Sequence, residues 1–253
     1  MRPEAYGEKF ADIYDEWYES GVEAHLAAEF LSDRVSGGEV LELGVGTGRI
    51  ALLLADRGHA VTGIDVSEPM LDRLRKKPGG ENVRTVLRSM VDLDQLGPFS
   101  LIYASFNGLF GLQSAEEQAR LFVASAEALA PDGLLVLEAS APRAQGLSAS
   151  GRPRVISITE TSVLLEAAHL DEPAQRLDLQ VIELSETGTK LYPASLRYAY
   201  QNEMELMASA AGLDVRERLS SWAGEPVLPG AQPSITIYGK LSSQTGKGGR
   251  AAR

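Results

Sequence analysis

Three groups of residues near the start of the chain are suited to binding a nucleotide-like ligand. The segment Gly44-Val45-Gly46-Thr47-Gly48 follows an apolar run and precedes a helical pattern. Its glycines leave backbone N–H groups bare at a helix N-terminus, where polar and anionic ligand groups bind. Glu42 is suited to a ligand's ammonium group. Asp65 ends the next apolar run and can accept both hydroxyls of a ribose. Together these residues predict a ligand with a ribose and a cationic amino acid group.

The spacing of the glycines separates this loop from that of the nicotinamide enzymes. Arg49 follows Gly48, whereas the dinucleotide fingerprint G-x-G-x-x-G needs its third glycine at position 49, for close packing of helix on strand. An NAD-dependent oxidoreductase is therefore an alternative that the sequence disfavours. A tight turn with a purely structural role is another alternative. The joint occurrence of Glu42, the loop and Asp65 at strand ends argues against it.

Four stretches of the chain resemble, in order and spacing, the successive motifs of class I S-adenosylmethionine-dependent methyltransferases. They are VLELGVGTGR, VTGIDVSEPML, LRSMVDLD and LAPDGLLVLE. Over its whole length, and less specifically, the chain also resembles small-molecule methyltransferases of bacterial secondary metabolism. The resemblance implies that the cofactor is S-adenosylmethionine and that the product is S-adenosylhomocysteine.

The same resemblance implies a set of cofactor contacts. Glu42 and the loop backbone would face the methionine portion, Asp65 the ribose, and Val66 and Met90 the adenine. Relatives often place at position 89 an aspartate that accepts from the adenine amino group, so this role falls to Ser89 or to Asp92. The residues expected to contact the cofactor are Tyr14, Glu42, Gly44, Gly46, Gly48, Asp65, Val66, Met70, Ser89, Met90, Val91 and Ser105.

The acceptor site is predicted beyond the carboxyl ends of the strands. Phe106 and Asn107 follow the fourth strand-like run, and this edge of an open parallel sheet borders the ligand crevice. Core packing of Phe106 is an equal alternative. Tyr14 and Tyr18 share a helix face, so they could form a lid over a cofactor or a flat acceptor, or pack in the core. The expected acceptor-binding residues are Trp17, Tyr18, Phe106, Asn107, Tyr192 and Trp222.

Methyl transfer requires little covalent chemistry from the protein, because it is an in-line displacement. Its rate depends mainly on the positioning of the nucleophile and the methyl group in a dry site. If the acceptor loses a proton, His169 is the favoured base, since its strand-like run is expected to overhang the site. A solvated surface position is the alternative for this histidine. Tyr14 and Tyr18 are the other catalytic candidates. Asp92 and Asp94 lack a matching Asp-Asn pair, so no metal is expected.

The elements that must position these residues alternate between strand-like and helix-like from Gly38 to Ser140, a pattern typical of a parallel sheet covered on both faces. Two helix-like segments, SEPMLDRLRKK and SAEEQARLFVASAEALAPDG, open with a serine that can cap them. Later runs bring the sheet to seven strands. We predict a three-layer α/β/α, doubly wound, mostly parallel seven-stranded Rossmann-like fold with an antiparallel β insertion.

Residues 1–36 are expected to form helices, broken near Ser20-Gly21, that cap the sheet's edge. The whole chain is predicted to divide into five segments. They are a helical cap (1–36), a cofactor-binding core (37–142), an antiparallel insertion over the acceptor site (143–200), the C-terminal part of the core (201–241) and a disordered tail (242–253).

Composition excludes several classes of function. The chain has no cysteine, which removes thiolate nucleophiles and Cys-ligated metal sites. Its net charge of −11 disfavours nucleic acid as a partner. No apolar run approaches the roughly 18 residues that cross a bilayer, and the N-terminus lacks the apolar core of a secretory signal, so no membrane contact and a cytoplasmic location are expected. The expected partner is a small-molecule acceptor, bound by a monomer or homodimer.

The sequence thus predicts methyl transfer from S-adenosylmethionine to a small molecule. An aromatic secondary metabolite, methylated on an indole, a phenol or an amine, is the first choice. An amino sugar is the second. A sensor that binds S-adenosylmethionine without catalysis is the third.

Overall fold

A computed structural model describes residues 7, 10, 11, 13–18, 21–35, 37–142 and 153–241 of the chain. The helices are α1 (Tyr14–Tyr18), α2 (Gly21–Ser32), α3 (Ala51–Asp56), α4 (Glu68–Lys76), α5 (Ala115–Ala128) and α6 (Gln201–Ala210). The strands are β1 (Glu39–Leu43), β2 (Ala60–Asp65), β3 (Val83–Leu87), β4 (Phe99–Ala104), β5 (Leu129–Glu138), β6 (Arg154–Ile158), β7 (Ser162–Asp171), β8 (Arg176–Ser185), β9 (Gly188–Arg197), β10 (Leu213–Leu219) and β11 (Ile235–Lys240). The predicted tail and Ser20 lie outside the described residues.

The main sheet has the strand order β10-β11-β5-β4-β1-β2-β3. Strands β1 to β5 run parallel to one another, and β11 is antiparallel to both of its neighbours. The seven-stranded, mostly parallel sheet of the sequence analysis is confirmed. Its strand order reverses between β1 and β4, and the crevice at such a point, beyond the carboxyl ends of the strands, is where ligands bind in open α/β sheets.

The central strands β1, β2 and β4 are buried on both faces, as their continuous apolar sequences predict, whereas β3, at the edge of the sheet, is partly exposed. A first core cluster contains Leu41 and Leu43 of β1, a second contains Val40, and a third joins the N-terminal segment to strands β8 and β9. Two helices start at the serines expected to cap them: Ser67 Oγ accepts from the N–H of Met70 at 3.4 Å, and Ser114 Oγ accepts from that of Glu117 at 3.1 Å. Such caps stabilise a helix by about 1 kcal/mol each. They also fix where the loops at the carboxyl edge end.

Strands β6 to β9 form a separate antiparallel sheet in chain order. The sequence VISITETSVLLEAAHL (155–170) reads as one strand-like run, but the structure divides it between β6 and β7. Thr159 and Ser162 close a turn between the two strands, in which the N–H of Thr159 donates to the carbonyl of Ser162 at 2.9 Å. One face of the insertion packs on the first core cluster through Leu177, Leu170 and Ala168. We call this the inner face.

The N-terminal helices do not cap the sheet's edge as expected. Helix α2 packs on one face of the main sheet, where Ala24, Ala27, Ala28 and Leu31 are buried in the second core cluster. Alanines at helical spacing let the helix axis approach the sheet closely, which explains this position. The segment around α1 instead contacts the insertion. No helix among the described residues is long and apolar enough to span a membrane.

Candidate active site

The glycine loop after β1 has the backbone conformation of a ligand-binding turn. Gly44, Gly46 and Gly48 have φ angles of +70°, +54° and +80°, a region where side chains cause strain. A Cβ on Gly48 would lie 2.7 Å from Leu74 Cγ, so this glycine permits close packing on α4. A Cβ on Gly46 would meet no atom within 4 Å. The middle of the loop therefore faces open space, which leaves room for a ligand.

Asp65, at the carboxyl end of β2, is bound to the same loop. Its Oδ2 accepts the backbone N–H of Gly46 at 2.8 Å, and its Oδ1 accepts that of Ser67 at 2.9 Å. Burial raises the pKa of Asp65, although these N–H groups oppose the shift. Each carboxylate oxygen can accept more than one hydrogen bond, so Asp65 also has capacity for two ligand hydroxyls. The arrangement fits a ribose.

Glu42 lies beneath the loop. It is 3% exposed and pairs in register with Tyr103 of β4, whose hydroxyl donates to Glu42 Oε2 at 2.7 Å. The N–H of Ala51, at the start of α3, also donates to this carboxylate. Burial raises the pKa of Glu42 to about 8, against the smaller effects of Tyr103 and Arg49. The structure thus gives Glu42 internal partners, whereas the sequence suggested direct contact with a ligand ammonium.

The residues expected near adenine follow β2 and β3. The Met90 Cε lies 3.5 Å from the position of a Cβ on Gly44, so Met90 borders the loop. Ser89 Oγ accepts from the N–H of Val91 at 3.5 Å, which leaves its hydroxyl proton for another acceptor. Asp92, the alternative to Ser89, forms an exposed ion pair with Arg120 at 3.3 Å. Of the remaining predicted cofactor residues, Val66 and Ser105 are half-buried at strand ends, and Met70 is buried.

The N-terminal segment crosses the turns that follow β1 and β2. Asp15 Oδ1 accepts from Thr47 Oγ1 of the glycine loop at 2.6 Å and from Lys77 Nζ, just after α4, at 2.7 Å. A Cβ on Gly7 would lie 2.1 Å from Ser67 Oγ, so the N-terminal segment contacts the turn after β2 there. These contacts place the segment over the loop that faces open space. We call the described residues of this segment (7, 10, 11 and 13–18) the N-terminal cover.

Aromatic packing joins this cover to the insertion. The rings of Trp17 and Tyr192 meet edge to face with centroids 4.8 Å apart, and Phe10 lies 5.5 Å from Tyr192. Met70 belongs to the same cluster, and Tyr14 packs against it. The side chain of Tyr18 lies outside the described residues. Trp17 and Tyr192 were expected to bind the acceptor, and the structure places them in the packing between cover and insertion.

The turn after β4 brings an aromatic ring to the carboxyl edge. Phe106 and Asn107 have φ angles of 52° and 58°, and Phe106 is 43% exposed. The guanidinium carbon of Arg49 lies 5.4 Å from the centre of the Phe106 ring. Asn107 is engaged with the backbone, since its Oδ1 accepts the N–H of Ser140 at 2.8 Å. Among the predicted acceptor residues whose side chains the structure describes, Phe106 is thus the most exposed.

Trp222 and His169 occupy other positions than those expected. Trp222 is 7% exposed and packs edge to face on Phe30 at 5.5 Å. His169 pairs with Asp178 between β7 and β8, and its two strand neighbours, Ala168 and Leu170, face the core. Strand alternation therefore turns His169 to the outer face of the insertion, where it is exposed. This position does not favour His169 as a base.

Three residues of the site escaped the sequence analysis: Tyr103, Asp15 as a partner of the loop, and Glu138, whose carboxylate accepts the N–H of Phe106 at 2.5 Å. The pairing of Tyr103 with Glu42 depends on the register of two strands that are distant in sequence. Glu138 ends an apolar strand, so only its position at the carboxyl edge could have suggested it. Among the residues that the structure describes, no group of three or more potential metal ligands occurs.

Comparison with known proteins places the chain among enzymes of one kind. Residues 40–133 match a family model described as a methyltransferase domain. The cypemycin N-terminal methyltransferase of a Streptomyces species is 32% identical over 248 residues, 93% of this chain and 97% of that protein. The structure of the CcbJ methyltransferase from Streptomyces caelestis superposes with a TM-score of 0.86 at 35% identity, over 96% of this chain and 100% of that one.

A more distant likeness shows the fold alone. The sugar N-methyltransferase KedS8 from Streptoalloteichus superposes with a TM-score of 0.70 at 18% identity, over 91% of this chain and 92% of that one. The likeness covers the insertion as well as the main sheet, because the matched region is nearly the whole of both chains.

Proposed function

This chain belongs to the S-adenosylmethionine-dependent methyltransferases, and from that premise we propose that it methylates an amine nitrogen of a small-molecule or peptide acceptor. A relative that matches almost the whole chain is named an N-terminal methyltransferase, of cypemycin. An aromatic carbon or oxygen acceptor has less support. Trp17, Tyr192 and Trp222, which suggested it, are packed against other rings of the protein.

One observation carries the choice of an amine: two carboxylates lie on the inner face of the insertion, Glu183 next to Tyr192 and Glu166 beyond Val181. The Tyr192 hydroxyl donates to Glu183 Oε2 at 3.1 Å, and Glu166 lies in the same cross-strand row as Tyr192. Carboxylates favour a cationic group. Lys190 and Arg154 pair with these carboxylates at 3.6 Å and 2.9 Å, and both cations are largely exposed, so an ammonium could compete for the same oxygens.

The open glycine loop supports the cofactor contacts that the family resemblance implies. The backbone of Gly44 and Gly46 would hold the methionine portion, Asp65 the ribose, and Met90 with Val66 the adenine. S-adenosylmethionine, when bound, supplies a methyl group on an electrophilic sulfonium. The N-terminal cover would exclude water from this group, which favours displacement by a positioned nucleophile.

An amine acceptor removes the need for a strong base. A peptide α-ammonium has a pKa of about 8, so an appreciable fraction is neutral near pH 7.5 and can attack directly. The proton leaves to water before transfer or from the product after it. The outward position of His169 is compatible with this chemistry, because no dedicated base is required.

The test is to incubate the protein with methyl-labelled S-adenosylmethionine and four matched acceptor sets: peptides with free N-termini, amino sugars, phenols and indoles. Mass spectrometry of the products should find the label on peptides or amino sugars, at nitrogen. The same peptides with acetylated N-termini are the control, and they should stay unlabelled. Label confined to phenols or indoles would contradict the proposal. Calorimetry with S-adenosylhomocysteine and with NADH tests the cofactor separately, and only the former should bind.

A further inference from the structure

Hydrogen bonds tie the turn after β4 to the end of β5. The carboxylate Oε2 of Glu138 accepts the backbone N–H of Phe106 at 2.5 Å. The backbone carbonyl of Glu138 accepts the N–H of Asn107 at 3.1 Å. The side chain of Asn107 in turn accepts the N–H of Ser140 at 2.8 Å. Residues 105–108, which we call the acceptor turn, are thus held by both the side chain and the main chain of one residue.

The acceptor turn needs such support because its backbone is strained. Phe106 and Asn107 both have positive φ angles, and two successive non-glycine residues in this region are unfavourable unless the surroundings impose the conformation. Phenylalanine in particular has no short polar side chain to compensate. The strain has a consequence for the site: it turns the Phe106 ring to the carboxyl edge, where 43% of the residue is exposed.

Two further side chains, Trp222 and Arg49, act on the Glu138 carboxylate. The indole N–H of Trp222 donates to the Glu138 carboxylate, and Arg49 contributes a favourable charge. Burial raises the pKa of Glu138, and the bonds to Phe106 and Trp222 oppose that shift. The carboxylate therefore connects three segments of chain: the acceptor turn, the end of β5 and the loop after β10. Trp222, expected to touch the acceptor, acts on Glu138 instead.

We propose that Glu138 is the positioning residue of the acceptor turn, which fixes the Phe106 ring at the carboxyl edge and thereby sets acceptor binding. Glu138 acts through an oxygen that accepts the Phe106 N–H and takes no part in the chemical step. The inference rests on the proposed function and on one expectation of the sequence analysis, namely that the acceptor binds beyond the carboxyl ends of the strands. The cofactor loop is a different segment, so cofactor binding should be independent of Glu138.

Two substitutions separate positioning from catalysis. Glu138→Gln keeps one oxygen, which can accept the Phe106 N–H although the bond to Trp222 is given up, whereas Glu138→Ala removes both acceptors. Glu117→Ala is the matched control: Glu117 Oε2 accepts the N–H of Gln113 at 2.9 Å, so this variant also removes a carboxylate that accepts a backbone N–H, but outside the acceptor turn.

The first measurement is amide hydrogen exchange, read on peptides that span residues 104–110 and, as a folding control, residues 39–43. Exchange at 104–110 should become at least tenfold faster in Glu138→Ala, and should stay near the wild-type rate in Glu138→Gln and Glu117→Ala. Exchange at 39–43 should be unchanged in all three. Unaltered exchange at 104–110 in Glu138→Ala would overturn the proposal.

The second measurement is steady-state kinetics with the amine that the acceptor panel identifies. A displacement of the turn by about 1 Å can cost roughly 100-fold in rate. Glu138→Ala should therefore lower kcat/KM for the acceptor by about 10- to 100-fold. Most of this loss should be in KM, because the Phe106 ring is proposed to bind the acceptor. Glu138→Gln should stay within about threefold of wild type, and the affinity for S-adenosylhomocysteine should not change in either variant. A Glu138→Gln variant as inactive as Glu138→Ala, with its turn still protected, would show a catalytic role and overturn the proposal.

The two proposals fail in different ways. If no amine is methylated while the wild-type protein binds S-adenosylhomocysteine, the proposed acceptor is wrong, and hydrogen exchange still decides whether Glu138 holds the turn. If amines are methylated and Glu138→Ala keeps wild-type exchange and kinetics, the role of Glu138 is wrong and the proposed function stands.

Discussion

The Asp65 carboxylate accepts the backbone N–H of Gly46 at 2.8 Å, which ties the carboxyl end of β2 to the loop after β1. The residue proposed to bind the ribose therefore also shapes the loop proposed to bind the methionine portion. Its second oxygen holds the N–H of Ser67, the residue that caps α4. One side chain thus sets the relative positions of two turns at the crevice.

Asp65→Ala should weaken binding of S-adenosylhomocysteine by about 10- to 100-fold, because hydrogen bonds to a charged group contribute about 1.5–3 kcal/mol. Asp65→Asn should weaken it as well, since an amide presents an N–H₂ group to one of two backbone donors. Isothermal titration calorimetry measures the affinity. Asp214→Asn, at an exposed position on β10, is the control and should bind as the wild type does. Equal affinity of Asp65→Ala and wild type would refute the assignment.

Glu42 makes the stability of the protein depend on pH in an unusual direction. Burial raises its pKa from 4.5 to about 8, so between these values the native state holds a proton that the unfolded chain has lost. The contribution of this group to stability is fully present below pH 4.5 and is lost as the pH rises through 8. Thermal denaturation of the wild type should show Tm falling over this window. Glu42→Gln, which keeps an acceptor for the Tyr103 hydroxyl, should reduce the fall and have the higher Tm at pH 8.

Tyr103→Phe provides the complementary variant. The Tyr103 hydroxyl lowers the pKa of Glu42, so its removal should raise that pKa further and make Tm fall more steeply towards pH 8. Asp65 and Glu138 also have raised pKa values, so they too lower the stability as the pH rises, in every variant. Only the difference between variants reports on Glu42. Parallel Tm curves for wild type, Glu42→Gln and Tyr103→Phe would contradict this explanation.

The fold could be predicted from the sequence because its signals are local. Apolar runs give the buried strands, and Ser67 and Ser114 mark helix starts through bonds to residues three positions away. The site depends more on register. Nothing near Glu42 in sequence indicates that Tyr103 lies opposite it. The run SVLLEAAHL is apolar at both odd and even positions, so its pattern could not tell which face His169 occupies; the pairing with β8 decides that.

Asp15 should control how firmly the N-terminal cover closes. Its Oδ1 accepts from both Thr47 and Lys77, so Asp15→Ala breaks the two bonds at once. We expect S-adenosylhomocysteine to dissociate several-fold faster from Asp15→Ala, measured by stopped-flow, and limited proteolysis to cut the N-terminal cover sooner. Lys77→Met removes only the partly exposed ion pair, which contributes about 1 kcal/mol or less, and should have a smaller effect. If Lys77→Met matched or exceeded Asp15→Ala, the bond to Thr47 would not hold the cover.

His169 should be dispensable for methyl transfer. It is exposed on the outer face of the insertion, whereas Ala168 and Leu170 face the core, so its ring lies on the side of β7 that is turned away from the glycine loop and the acceptor turn. His169→Gln should keep kcat/KM for an amine acceptor within about twofold of wild type, in the range of surface substitutions that cost at most about 0.5 kcal/mol. The dependence of kcat/KM on pH should also be unchanged: in both proteins it should rise with the neutral fraction of the acceptor amine. A loss on the order of 100-fold at every pH, the size typical of removing a general base, would reinstate His169 as the base and require the insertion to rearrange when the acceptor binds.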